Sequence, residues 1–168
     1  TPLGEQLRAL LLQKDGLAPT AMAELLMVFA ARAQHVSTVI GPALERGEWV
    51  LCDRFTDASF AYQGFGRGIS LEVIAQLAEI VHPTTKPDLT ILLDVDPEIG
   101  LQRARARGEL DRFEREAAPF FEAVRAGYLS QVEREPDRWR VINAGADLEN
   151  VQRQLDALLN EWIAGATS

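Results

Sequence analysis

Residues 89–95, Leu-Thr-Ile-Leu-Leu-Asp-Val, form a nearly unbroken apolar run between Pro87 and Asp96-Pro97. A strand this uniformly apolar has no face to offer to water, so it belongs in a parallel sheet covered on both sides. Parallel neighbours require crossover connections, which are usually helices. Two further runs read as strands, Glu48 to Cys52 and Arg138 to Ile142. Between them lie helical patterns. Leu7 to Leu12 reads as a short helix, broken by the polar Gln13-Lys14-Asp15-Gly16. Thr20 caps a long helix with apolar residues at Met22, Leu25, Leu26, Phe29, Ala33, Val36 and Ile40, ending before Gly41-Pro42. Ala43 to Arg46 reads as a second helix, stopped at Gly47. Ser70 caps a helix with Ile74, Leu77, Ala78 and Val81 on one face. Asp96-Pro97 opens another, with proline in its first turn, and 148–163 closes the chain. The class is α/β: a three-layer parallel sheet with helices on both faces. Ligands in such sheets sit beyond the carboxyl ends of the strands.

The totals exclude several function classes. At 168 residues, the chain is sized for one domain spanning 1–168. Its 17 Lys+Arg against 25 Asp+Glu give a net charge of −8, which argues against a coat for nucleic acid or an anionic membrane. Anion binding must then be confined to a local site. Cys52 is the only cysteine, so no disulfide framework or cysteine metal centre is expected. His35 and His82 read as a helix-surface and a helix-end residue. No apolar run approaches the roughly 18 residues needed to span a bilayer, and no signal peptide is visible, so a cytoplasmic location is expected. Only Lys14 and Lys86 are lysines, and the other cations are arginines, whose forked guanidinium suits phosphate and carboxylate oxygens.

Three pieces carry chemistry. The stretch Asp53 to Gly68, DRFTDASFAYQGFGRG, follows the strand expected at 48–52. An acid fixed at the tip of a buried strand suits a magnesium ion or its waters. With Arg54 beside it, the pair serves either two anionic substrates or a structural ion pair. The second piece is Arg103-Ala-Arg-Ala-Arg-Gly108, followed by Glu-Leu-Asp-Arg112. Arg103 and Arg107 share a helix face, where like charges destabilise by roughly 0.2–0.5 kcal/mol. Either Glu109, Asp111, Glu114 and Glu116 compensate, or a polyphosphate does. Gly108 allows a bend suited to a lid. The third piece is the long helix. Phe29 and Arg32 are three apart on one surface, with Phe29 in phase with the core. Arg32, if it turns inward, needs a partner such as a ligand carbonyl. Tyr62 is compatible with ordinary core packing.

These residues resemble a known family, the bacterial thymidylate kinases. The resemblance covers essentially the whole chain, through TPLGEQLRALLL, FAARAQH, DRFTDASFAYQGFGRG, KPDLTILLDV and RARARGELDRFE. It implies a phosphate-loop nucleoside monophosphate kinase fold with a mobile lid at about 103–116. It also implies transfer of the ATP γ-phosphoryl onto dTMP, with Mg2+ and a homodimer. By the resemblance, Asp53 and Arg54 lie between donor and acceptor phosphates, with Asp53 toward the metal and Arg54 on the dTMP phosphate. Arg8 lies close to the dTMP site. Arg32 bonds the thymine edge, Ser59 and Gln63 complete base recognition, and Tyr62 packs under the deoxyribose. Phe29 stacks on thymine, although the family usually has its aromatic at the position of Val28. Arg103 stacks near adenine, and Arg107 swings in with the lid to stabilise charge on the transferring phosphoryl.

The sequence also departs from that pattern. It contains no G-x-x-x-x-G-K-[ST], and neither Lys14 nor Lys86 lies in a phosphate loop. In the family that loop follows the first strand, ahead of the turn that would end near Thr1. The expectation is therefore a kinase sequence without its first two strands and its phosphate loop, inactive toward ATP as written. The alternatives are a deoxynucleoside kinase of the same superfamily and a non-catalytic binder of anions or nucleic acid.

Overall fold

The computed structural model describes residues 1–13 and 18–166. Lys14, Asp15 and Gly16 of the expected polar break lie outside the described residues. Helix α1 covers Pro2–Leu12, longer than the predicted 7–12, because Thr1 caps it by accepting from the Gly4 amide at 3.0 Å and Pro2 fits its first turn. Helix α2, Ala21–His35, starts at the predicted cap, with Thr20 Oγ1 accepting from the Ala23 amide at 3.3 Å. It does not stop before Gly41-Pro42. The chain widens into a π-helical segment, Val36–Ile40, and runs on as α3, Gly41–Glu45, whose first turn accommodates Pro42.

The strand predicted over 48–52 does not form. A strand exists only through ladder partners, and among the described residues the sheet consists of β1, Thr90–Asp94, and β2, Trp139–Asn143. These two pair in parallel, with Leu92 opposite Val141. Without a ladder, Leu51 stands fully exposed, and Trp49 instead sets its ring edge-on to Trp162 at 5.4 Å. The β1 and β2 predictions hold to within a residue, and their parallel pairing with intervening helices is the expected α/β arrangement.

Beyond 48–52 the chain coils as α4, Thr56–Ser59, and continues in π winding over Phe60–Gly66. Helix α5, Leu71–Val81, begins at Ser70 as predicted. Helix α6, Pro97–Arg107, begins at Asp96, whose carboxylate accepts from the Glu98 amide at 2.9 Å. Helix α7, Ala118–Arg134, was not anticipated, although Pro119 in its first turn and apolar residues at Phe120 and Val124 announce it. Helix α8 covers Leu148–Ala166.

Two cores hold these pieces. Leu25 and Phe29 of α2 meet Ile74 of α5, all essentially buried and each worth about 1.5–3 kcal/mol of transfer free energy. Ala61, Phe120 and Val124 form the second. That second core depends on Gly127, because a Cβ there would lie 2.8 Å from the Phe65 ring and 3.0 Å from the Ala61 Cα. Ion pairs then fix the sheet to the helices. Arg125 of α7 forks onto both oxygens of Asp94 at 2.7 Å, which holds that carboxyl below its ordinary pKa. Arg138, ahead of β2, forks onto both oxygens of Asp57 at 2.8 Å.

His82 closes α5. Its Nδ1 lies 3.0 Å from the Thr85 carbonyl and its Nε2 2.6 Å from Thr56 Oγ1. A carbonyl only accepts, so Nδ1 donates and Nε2 accepts from the hydroxyl of a neutral ring. Burial pushes the imidazole pKa down, the Thr85 carbonyl works against that, and the Arg32 charge adds to the lowering. The unfolded chain therefore takes up this proton more readily than the folded one. The contribution is complete above the ordinary histidine value and is lost as pH falls below it. Thermal melts from pH 7.5 to 5 are expected to show a steeper fall in Tm for the native protein than for His82→Gln. Equal slopes would remove this assignment.

Candidate active site

Arg32 is the best-defined element of the site. Its Nη2 donates to the Phe55 carbonyl at 3.1 Å and to Ser59 Oγ at 3.0 Å. Its guanidinium carbon sits 4.6 Å from the Phe29 ring centroid and 5.4 Å from that of Phe55. Burial pushes its pKa down to about 10, against the opposing pull of Cys52 and Asp57, so it remains a cation at neutral pH. Its Nη1 is buried without a hydrogen-bond partner. Among the described residues this is shared only with Trp139 Nε1. A buried donor left unpaired costs about 1–3 kcal/mol, and a ligand acceptor would remove that penalty.

The structure thus brings Phe29, Arg32 and Ser59 together and adds Phe55. Sequence reading missed Phe55, although it directly follows the Asp-Arg pair. Phe29 is 2% exposed and also belongs to the core, so its ring supports Arg32 from within the α2–α5 interface.

Arg54 takes a left-handed backbone, φ 64°, alone in this among the described non-glycine residues. Such strain in a non-glycine residue concentrates at functional sites. Its guanidinium lies 5.0 Å over the Tyr62 ring. Desolvation works to lower its pKa, but Tyr62, Tyr128 and Asp53 outweigh it and hold the pKa above its ordinary value. Burial pushes the Tyr128 hydroxyl pKa up. Asp53 is exposed beside Arg54, and its charge is one of those that raise the Arg54 pKa.

The arginine helix is less tightly placed. Arg103 donates to the carbonyls of Ala144 at 2.6 Å and of Gly145 and Ala146 at 3.2 Å, capping the turn after β2. Arg107, 71% exposed, pairs with Glu114 at 2.5 Å. Glu114 in turn accepts from the Asp111 amide and feels both Arg107 and Arg54, which hold its carboxyl low. The Arg107 pair therefore lies within electrostatic reach of Arg54. Phe113 completes the connection, edge-on to Tyr62 at 6.0 Å. Arg8 is exposed on α1, apart from these contacts.

Gln63 is buried, and its amide nitrogen donates to Glu24 Oε1 at 2.9 Å. Sequence reading also missed Glu24, Arg67 and Arg112, which meet there. An acid four residues into a core-facing helix was the available signal. A cleft of about 480 Å³ bordered by Phe55, Phe60, His82 and Arg138 contains none of Asp53, Arg54, Tyr62 or Gln63. Its Asp57–Arg138 pair is already satisfied. No group of three or more potential metal ligands occurs among the described residues, nor any helix long and apolar enough to cross a membrane.

Comparison with known proteins gives a consistent picture. The family model described as thymidylate kinase matches residues 1–155. A thymidylate kinase of Teredinibacter turnerae is 55% identical over 163 residues, covering 97% of this chain and 80% of that protein. One from Pseudomonas putida W619 is 57% identical over 159 residues, covering 95% and 77%. The crystal structure of the thymidylate kinase from Ehrlichia chaffeensis superposes with a TM-score of 0.74 at 32% identity, covering 95% of this chain and 75% of that one.

Proposed function

The chain belongs to the thymidylate kinase family, and from that premise we propose that its site takes dTMP as acceptor and ATP as phosphoryl donor. The observation that carries this reading is the buried, unpaired Nη1 of half-buried Arg32, beside Phe29 and Ser59. A planar base with carbonyl oxygens at its edge supplies the missing acceptor, and the buried Phe29 ring holds the Arg32 guanidinium in place for it. Ser59 and Gln63 complete the base wall. Tyr62 underlies the sugar, leaving no room for a ribose 2′-hydroxyl. Arg54, held by Tyr62 in a strained backbone, grips the dTMP phosphate, with Arg8 nearby.

Phosphoryl transfer asks for alignment and positive charge where the equatorial oxygens gain negative charge. Arg107, the last residue of α6 and within a lid over 103–116, brings that charge, and Arg103 at the 144–146 turn marks the adenine side. Mg2+, when bound, neutralises charge on the phosphate oxygens. Asp53 is the residue to hold it, because this ion keeps most of its ligands as water and phosphate and needs only one or two carboxylates. A homodimer and a cytoplasmic location belong to the same reading.

The test compares acceptors. With ATP and Mg2+, the full-length protein is expected to phosphorylate dTMP and to leave thymidine unchanged. Preference for thymidine would replace this reading with a deoxynucleoside kinase. Activity on neither, together with steeply salt-dependent binding to nucleic acid, would replace it with a binder.

A further inference from the structure

Glu24 is a charged side chain that the proposed transfer does not use. It is 1% exposed. Ionised carboxylates are not buried without several donors, and Glu24 has them from three directions. Gln63 Nε2 donates to Oε1 at 2.9 Å. Arg67 reaches Oε1 through Nε at 3.4 Å and Oε2 through Nη2 at 3.3 Å. Arg112 Nη2 reaches Oε2 at 2.6 Å, the shortest of the set.

These donors come from distinct parts of the fold. Gln63 and Arg67 stand on and just after the π-helical acceptor wall, and Arg112 lies in the irregular segment 108–117. Arg67 also pairs with Glu116 of that segment at 2.7 Å. Arg112 Nε donates to the Leu11 carbonyl at 2.7 Å, and its guanidinium packs 4.3 Å over Phe113. Segment 108–117 joins no sheet and no regular helix, so side-chain anchors of this kind fix its place. The charges balance: two arginines face Glu24 and Glu116.

We propose that Glu24 is a positioning residue, the peg that fixes the C-terminal end of the lid through Arg112 and Arg67 and joins it to the Gln63 wall of the acceptor pocket. The travelling part of the lid then ends before Arg112, and Arg107 moves about a fixed point on α2. The proposal rests on the kinase reading for its catalytic consequence, but not for the anchor itself.

Hydrogen exchange without nucleotide tests the anchor. In full-length Glu24→Gln and Arg112→Gln, residues 108–117 are expected to exchange at least about tenfold faster than in the native protein, with α5 and the Leu25–Phe29 stretch unchanged. Kinetics test the coupling. Arg112→Gln is expected to lower kcat about tenfold at constant KM for dTMP. Glu24→Gln, which also strips Gln63 of its acceptor, is expected to lower kcat and raise that KM. Native exchange of 108–117 in both variants overturns the proposal. So does acceleration of every segment alike, which would make Glu24 a general stabiliser, and so does native kcat in both variants. If the native protein itself fails to phosphorylate dTMP, the kinase reading falls, and the exchange pattern alone decides the anchor.

Discussion

Arg107→Ala is expected to lower kcat by roughly 10³–10⁵-fold with dTMP affinity unchanged, as loss of an arginine finger does. That range corresponds to about 4–7 kcal/mol of transition-state stabilisation. Against it stands the cost of leaving the resting partner. The Arg107–Glu114 pair is surface-exposed on the arginine side, and such pairs are worth about 0–1 kcal/mol. Breaking it for a phosphoryl group is therefore favourable by a wide margin. The backbone permits the motion, because Gly108 follows at φ 144° and ψ −149°, a region essentially closed to other residues. Steady-state kinetics with calorimetric dTMP binding on the same preparation checks this. Native turnover in Arg107→Ala would remove the lid from the mechanism.

Arg32→Met is expected to weaken dTMP binding by about 10- to 150-fold, the value of one hydrogen bond to a charged group at roughly 1.5–3 kcal/mol. Its effect on the ligand-free protein runs against intuition for a buried residue. The native side chain keeps a buried cation whose pKa is lowered by its surroundings and one N–H without a partner. Methionine fills similar space between Phe29 and Phe55 without either penalty, though it gives up the bonds to the Phe55 carbonyl and Ser59. Tm is therefore expected to stay level or rise while affinity falls. A large drop in Tm with native dTMP affinity would place Arg32 in the packing and outside the binding site.

The local signals in the sequence were reliable where a single segment decides the outcome. Thr20, Ser70 and Asp96 each cap the helix predicted after them, since a cap needs only an oxygen and the next few amides. The apolar run at 89–95 becomes β1, and its parallel partner is β2. The segment at 48–52 carries an equally strand-like composition, but composition does not supply a neighbour, and the strand is absent. The site divides in the same way. Arg32 was legible because an arginine three residues from a core phenylalanine must be reconciled with burial. Glu24 was not, because its donors lie 39, 43 and 88 residues away, and nothing in its own helix names them.

The π winding over Phe60–Gly66 has a geometric consequence. On an α-helix, residues four apart stack on one side. Here Ser59 faces Arg32, whereas Gln63, four residues later, faces Glu24. Ser59 ends α4 and Gln63 lies within the π winding, so one short stretch that changes coil touches two partners on α2, eight residues apart. A single strip of polypeptide thus spans both ends of a two-turn interval and bolts the acceptor wall to it at two places.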